Sequence, residues 1–182
     1  MFIRHNLPAI KQSSVSFRPD FIAKSVSDID FAYLASRSLK ACFIDLDGTV
    51  VARGQYDVDP AIIKKLRACS MPIFIATNRP KSRALKNLKA DLTAIAIIHP
   101  EGLYPKPSKT YYRRALARHN LQPYEVVMIG DRYIQDIWGA NRAGLNSLVV
   151  HKTGASVGKV DLLLSKFEAF ATAHFSGRYR QL

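Results

Sequence analysis

Acid is scarce in this chain. Fourteen Asp and Glu stand against 27 Lys and Arg, which leaves a formal net charge of +13 over 182 residues. An excess of that size points to a polyanionic partner, nucleic acid or an anionic membrane surface. The plainer alternative is an enzyme that is merely basic. Cysteine is scarcer still. Cys42 and Cys69 are too few for a disulfide framework or a zinc site, which suits a reducing, cytosol-like compartment. Long apolar runs are missing: none approaches the roughly 18 residues of a membrane span. Arg4 and His5 are not followed by the apolar segment of a secretory signal. With 48% hydrophobic and 23% charged residues, the composition excludes a disordered chain. The length suits one domain with a substantial core.

The missing acid is unevenly distributed. Residues 79–90, RPKSRALKNLKA, carry five basic residues and no acid, and residues 102–124 hold Lys106, Lys109, Arg113, Arg114 and Arg118, again with no acid. Both stretches read as helical, and opposing acids are absent from their faces. The first acid of the chain is Asp20. The stretch before it mixes Phe2, Ile3, Leu7, Ile10, Val15 and Phe17 with Arg4, Lys11 and Arg18, as an interfacial amphipathic segment, a transit-type leader or a loosely packed arm would.

From residue 41 the pattern becomes regular. Short, continuous apolar runs occur at 41–45 (ACFID), 72–76 (PIFIA), 94–98 (AIAII), 126–130 (VVMIG) and 147–150 (SLVV). Strands buried on both faces read this way. Helices are predicted between them: one started by Asp59 and Pro60, then 80–90, 108–119, 136–143 ending before Gly144, and 158–171. Strands alternating with helices give an α/β fold, a three-layer sandwich around a central parallel sheet. The division is an N-terminal extension over 1–40 and one domain over 41–182.

In such a sheet, ligands bind beyond the carboxyl ends of the strands. The residues that close the strands are Asp45-Leu46-Asp47-Gly48-Thr49, then Thr77-Asn78, then Gly130-Asp131, with Lys106 eight residues past the third strand. Carboxylates converging on one edge repel one another, and burying them unpaired is costly. A hard divalent cation such as Mg²⁺, which takes oxygen ligands, removes the difficulty.

These four segments in this order, DLDGT, a hydroxyl residue, Lys and GDRYIQD, resemble the haloacid dehalogenase superfamily of phosphotransferases. The resemblance implies that superfamily's Rossmann-like fold. It implies Asp45 as nucleophile, forming an aspartyl-phosphate, and Asp47 as the acid and base that protonates the leaving oxygen and then deprotonates water. The backbone carbonyl of Asp47 would join Asp45 and Asp131 on Mg²⁺. Thr77 would hydrogen-bond a phosphoryl oxygen and Lys106 would offset developing charge, with Lys109 the alternative for that role. Asp136 would hold Lys106 or a metal-bound water from behind. Gly48, Thr49, Asn78 and Arg79 would shape the substrate-binding rim, Gly48 by permitting a tight backbone and Thr49 by fixing the loop.

The intervals 49–77 and 77–106 are filled by one helix and one strand each, which leaves no room for a cap domain. An open site suits a phosphate displayed on something large, and a basic rim suits an anionic one. Residues 17–41 (FRPDFIAKSVSDIDFAYLASRSLKA), 106–116 (KPSKTYYRRAL) and 130–150 (GDRYIQDIWGANRAGLNSLVV) resemble the YqeG-like phosphatidylglycerophosphatases. In that family the leader is followed by a Leu-containing helix. The chain departs from the pattern at Gly48, where that family usually has Asn, and at Thr77-Asn78-Arg79, where it usually has Ser-Asn-Asn. The resemblance implies action on a phosphorylated lipid headgroup, with the protein cytoplasmic (or in an organellar matrix) and peripheral on the inner face of an anionic membrane. Arg79, Lys81, Arg83, Arg113 and Arg114 are candidates for the docking face. Tyr104, Tyr111, Tyr112 and Tyr133 would either meet the lipid or pack inside. The alternatives are a phosphatase acting on nucleic-acid ends and a non-catalytic module for anionic surfaces. The intact Asp45, Asp47, Lys106 and Asp131 argue against the last.

Overall fold

The computed structural model describes residues 16–151. Its strands are β1 (Phe21–Ala23), β2 (Ala41–Ile44), β3 (Ile73–Ala76), β4 (Ala96–Ile98), β5 (Val126–Gly130) and β6 (Asn146–Val150). All pair in parallel, in the order β1-β6-β5-β2-β3-β4. The helices are α1 (Phe31–Ser36), α2 (Pro60–Arg67), α3 (Arg83–Asp91), α4 (Lys109–Arg118) and α5 (Gly139–Ala143), the last entered from a π-helical turn over Tyr133–Trp138.

The strands read as unbroken apolar runs because both sheet faces are covered. Cys42, Ile44, Ile73, Ile75, Val127 and Ile129 meet Ile62 and Leu66 of α2 and Leu85 and Leu88 of α3. The alternate residues Phe43, Phe74, Val126 and Met128 meet Tyr112, Ala115 and Leu116 of α4 and Ala140 of α5. This is the expected three-layer sandwich. The helix starts follow from their caps. The Asp59 carboxylate accepts from the Ala61 N–H at 2.7 Å ahead of Pro60. The Ser82 and Ser108 hydroxyls accept from Leu85 and Thr110 N–H groups. The helix expected over 158–171 lies outside the described residues.

The stretch set apart as an extension over 1–40 is, from residue 16 onward, built into the sheet. In β1, Phe21 lies opposite Leu148 of β6. The Asp20 carboxylate accepts from the Ser147 N–H at 2.8 Å, and the Asn141 amide donates to the Ser16 and Arg18 carbonyls. Asp30 caps α1 by accepting from the Tyr33 N–H. A three-residue edge strand carries no readable period, so long-range hydrogen bonds rather than local pattern make it a strand. The amphipathic segment expected before residue 16 lies outside the described residues.

Between β2 and β3 the chain holds α2, and between β3 and β4 it holds α3, with no inserted domain. Among the described residues no helix is long and apolar enough to cross a membrane. The register sets the site: Ile44 pairs with both Ile75 and Ile129. Asp45, Ala76 and Gly130 therefore finish level, and Thr77 and Asp131 project one residue further at the same carboxyl edge.

Candidate active site

The floor of the site is buried charge. Lys106 Nζ lies 2.6 Å from Asp45 Oδ1 and 2.6 Å from Asp136 Oδ1, with the ammonium and the Asp136 side chain fully buried. The lysine reaches that place because Asn78 fixes its backbone: the Asn78 amide donates to the Lys106 carbonyl at 3.1 Å, and its oxygen accepts from the Lys106 N–H at 2.9 Å. Asn78, expected on the substrate rim, is thus largely committed to scaffold. Thr49 Oγ1 donates to Asp131 Oδ1 at 3.2 Å. Two glycines make room for the acids. A Cβ on Gly48, whose φ is +86°, would stand 2.4 Å from Asp131 Oδ2, and one on Gly130 would stand 2.3 Å from Asp136 Oδ2.

Burial dominates the electrostatics here. It pushes the Asp45 carboxyl up to about 6, with Lys106 pulling it back and Asp136 adding repulsion. It pushes Asp131 up to about 6 as well, with repulsion from Asp45 added and Arg132 opposing. Asp136 is also raised, by burial against the pull of Lys106. Burial would lower Lys106, but Asp136 and Asp45 outweigh it and hold the ammonium charged.

One oxygen from each of Asp45, Asp131 and Asp136 lies within 4.8 Å of the others. Asp131 Oδ2 is buried with no hydrogen-bond partner. A buried acceptor of that kind beside two further carboxylates fits a hard divalent cation. Asp136, expected to hold Lys106 or a metal-bound water from behind, holds the lysine and also stands in this cluster.

The wall of the site is different. Asp47 leaves the floor and faces Arg79, whose Nε donates to Oδ2 at 2.8 Å and whose second terminal nitrogen donates to Oδ1 at 2.6 Å. The Gly54 N–H donates to Oδ1 at 2.9 Å. Partial burial would raise this carboxyl. The Arg79 hydrogen bonds, the Gly54 N–H and the charges of Arg79 and Arg53 reverse that and hold it below its ordinary value. Arg79 also donates to the Gln55 carbonyl at 3.0 Å and lies 4.8 Å from the Tyr56 ring centre. Thr77 is buried at the end of β3, its hydroxyl accepting from the Arg79 N–H at 3.1 Å.

Floor and wall enclose an open cavity of about 230 Å³, bordered by Asp45, Asp47, Asn78 and Arg79 and also by Arg53, Arg132 and Gln135. The sequence reading missed those last three. Arg132 and Gln135 stand inside GDRYIQD, where the two aspartates drew attention, and Arg53 sits in a loop with no motif. One expectation for a docking face needs correction, and one open alternative is decided. Arg79 is engaged with Asp47 and is not an exposed docking cation. Tyr111, Tyr112 and Tyr133 are buried core residues, while Tyr104 is exposed. Lys109, the alternative lysine, opens α4, and Lys106 occupies the floor.

Comparison with known proteins agrees with this geometry. Residues 103–166 match the model of the HAD-hydrolase-like family. The chain is 26% identical over 145 residues to "Probable phosphatase YqeG" of Bacillus subtilis, covering 78% of this chain and 81% of that one. Among solved structures, a haloacid dehalogenase-like family hydrolase from Streptococcus pneumoniae superposes with a TM-score of 0.51 at 19% identity, over 69% of this chain and 90% of that one. The D,D-heptose 1.7-bisphosphate phosphatase of B. bronchiseptica, solved with magnesium and phosphate, gives 0.51 at 20% identity, over 63% and 82%. At those identities the structural likeness is one of fold. The motif order, the parallel sheet and the family match over residues 103–166 agree in making the chain similar to haloacid dehalogenase-like hydrolases.

Proposed function

We propose that the protein is a Mg²⁺-dependent phosphomonoester hydrolase that works through an aspartyl-phosphate on Asp45. Its proposed substrate is phosphatidylglycerophosphate at a membrane surface. The observation that carries the reading is the convergence at one open sheet edge of a buried Asp45 held by Lys106 and a second carboxylate, Asp47, two residues on. The relative from Bacillus subtilis is named a phosphatase, and the heptose bisphosphate enzyme was solved with magnesium.

In this reading an Asp45 carboxylate oxygen attacks phosphorus, the bond to the leaving oxygen breaks, and Asp47 supplies that oxygen with a proton. Asp47 then takes a proton from water, which attacks phosphorus. The bond to Asp45 breaks, and inorganic phosphate departs. Asp45, Asp131 and Asp136 would hold the cation, which supplies charge neutralisation for the phosphoryl oxygens. Lys106 fixes Asp45 and offsets charge from beneath, and Thr77, buried at the end of β3, would donate to a phosphoryl oxygen.

The lipid substrate is favoured by what surrounds the mouth. Of four large exposed apolar side chains among the described residues, Tyr56, Leu103 and Tyr104 lie in loops at the carboxyl edge. Leu103 is 94% exposed and three residues from Lys106. Exposed Lys81 and Arg83 stand at the start of α3, on the same edge. Apolar tips ringed by cations suit an anionic bilayer.

The test is phosphate release from vesicles containing phosphatidylglycerophosphate, run beside an aryl phosphate and a 3′-phosphorylated oligonucleotide, with and without chelator. Preference for the vesicles, abolished by chelation, is the expected result. Preference for the oligonucleotide would replace the lipid reading. Turnover that survives chelation would remove the metal.

A further inference from the structure

The phosphatase reading leaves Arg79 without a task, although it contacts Asp47, Gln55 and Tyr56. It joins three pieces of chain: the turn after β3, Asp47, and the loop at residues 53–56. The guanidinium grips both Asp47 oxygens, donates to the Gln55 carbonyl and lies over Tyr56. Its own backbone is fixed at both ends, the N–H donating to Thr77 Oγ1 and the carbonyl lying 3.0 Å from His99 Nδ1.

A carboxylate offers roughly four acceptor positions. On Asp47, Arg79 takes one on each oxygen and the Gly54 N–H takes a second on Oδ1. One remains, on Oδ2. We propose that Arg79 is the positioning residue for Asp47: its two-point grip orients the carboxylate so that only Oδ2 keeps an acceptor position open toward the leaving group and water, and it holds the 53–56 loop as the wall of the cavity. The inference rests on the phosphomonoesterase reading for its kinetic side and on geometry alone for its structural side. A planar fork is required, because a lysine would supply charge without fixing the carboxylate's plane.

The experiment compares Arg79→Asn, Arg79→Lys, Asp47→Asn and the double variant Arg79→Asn/Asp47→Asn. An alkyl phosphomonoester needs a proton on its leaving oxygen, and a nitrophenyl phosphate scarcely does. If Arg79 acts through Asp47, Arg79→Asn lowers kcat on the alkyl ester about 100-fold and on the aryl ester less than about 10-fold, with KM nearly unchanged. Arg79→Lys recovers only part of the loss. The double variant is no slower than Asp47→Asn alone. Equal losses on both esters, a change confined to KM, or additive losses in the double variant would overturn the proposal. A second readout needs no turnover. Amide hydrogen exchange at Gly54 should quicken at least about 10-fold in Arg79→Asn, since its acceptor is no longer held. Unchanged exchange there would overturn the structural side. Absence of phosphate release from any ester by the unaltered protein would sink the phosphatase reading, while Gly54 exchange would still decide the grip.

Discussion

Asp45 and Asp47 are two residues apart in one loop, yet they sit in opposite surroundings. Asp45 is in the floor, nearly inaccessible, tied to a fully buried lysine and pushed up by burial and by its acidic neighbours. Asp47 is in the wall, half open to the cavity, clasped by an arginine and held down by it. The difference shows how one short loop serves two roles. Burial holds the floor carboxyls above their ordinary range, a cost that a divalent cation would offset, which suits a nucleophile that shares a metal. The wall keeps its carboxylate ionised, oriented and within reach of solvent, which suits taking a proton from water.

The largest expected effect breaks this pair apart by activity. Asp45→Asn removes the attacking oxygen and should lower kcat on the order of 10⁴-fold or more, with the fold intact by circular dichroism. Asp47→Asn leaves the nucleophile and removes only proton transfer, a loss of about 10²–10⁴-fold. If Asp45→Asn turned over normally, the division of labour would be lost. If the two variants were equally dead on an aryl phosphate, the wall would be doing more than moving protons.

Stability separates the two regions next. Lys106→Met leaves Asp45 and Asp136 buried without their cation and should cost about 3–5 kcal/mol in denaturant unfolding at pH 8. The matching change in the wall, Arg79→Met, removes a partly solvated pair and should cost nearer 1 kcal/mol. Comparable costs would mean that floor and wall are not distinct environments.

The fold and the floor were legible in the sequence for one reason: their signals are local. Continuous apolar strands announce a sheet covered on both faces, and acids closing those strands announce its working edge. Asp45 and Asp131 could be placed from strand ends alone, since parallel register brings such ends level, whereas Lys106 and Asp136 were placed by the resemblance of their segments. The wall was harder. Nothing in Thr77-Asn78-Arg79 says that the asparagine will turn to the Lys106 backbone and the arginine to Asp47, because both partners come from other strands. β1 escaped for the same reason, being defined by its pairing with β6 far along the chain. Tyr111 and Tyr112 look like surface aromatics among arginines, and only the packing of α4 on the sheet buries them.

A smaller effect should appear on titration. Asp45 and Asp131 are pushed from 3.8 to about 6 in the folded protein. Between those values the native state holds protons that the unfolded chain has released. Stability of the metal-free protein should therefore fall as pH rises from about 4 to 6, then level off. At about 1.4 kcal/mol per unit the loss is roughly 2–3 kcal/mol per carboxyl. Mg²⁺ binds the deprotonated acids, so it should raise the melting temperature at pH 8 and have little effect near pH 4.5. Asp47 contributes with the opposite sign and at lower pH, because its folded value is depressed: its stabilisation is present above the ordinary carboxylate range and is lost on acidification. A stability that rose through pH 4–6 would place the wall's electrostatics in the floor.

The mildest prediction concerns the cations and apolar tips outside the cavity, and it asks whether the wall extends to a membrane. Lys81 and Arg83 are exposed beside the mouth, whereas Arg114 stacks on Tyr104 and pairs with Glu101. Each free cation near an anionic surface contributes about 1 kcal/mol, so Lys81→Gln or Arg83→Gln should weaken binding to phosphatidylglycerol vesicles about five-fold, and Arg114→Gln less. Raising salt from 50 to about 300 mM should shrink these differences, because the Debye length drops below 10 Å. Leu103→Ser should weaken binding at every salt concentration, since apolar burial is not screened. None of these changes touches Asp45 or Asp47, so turnover of a soluble aryl phosphate should be preserved. Vesicle binding that ignores both salt and Leu103 would detach the wall from any lipid surface and leave the cavity to act on a phosphate in solution.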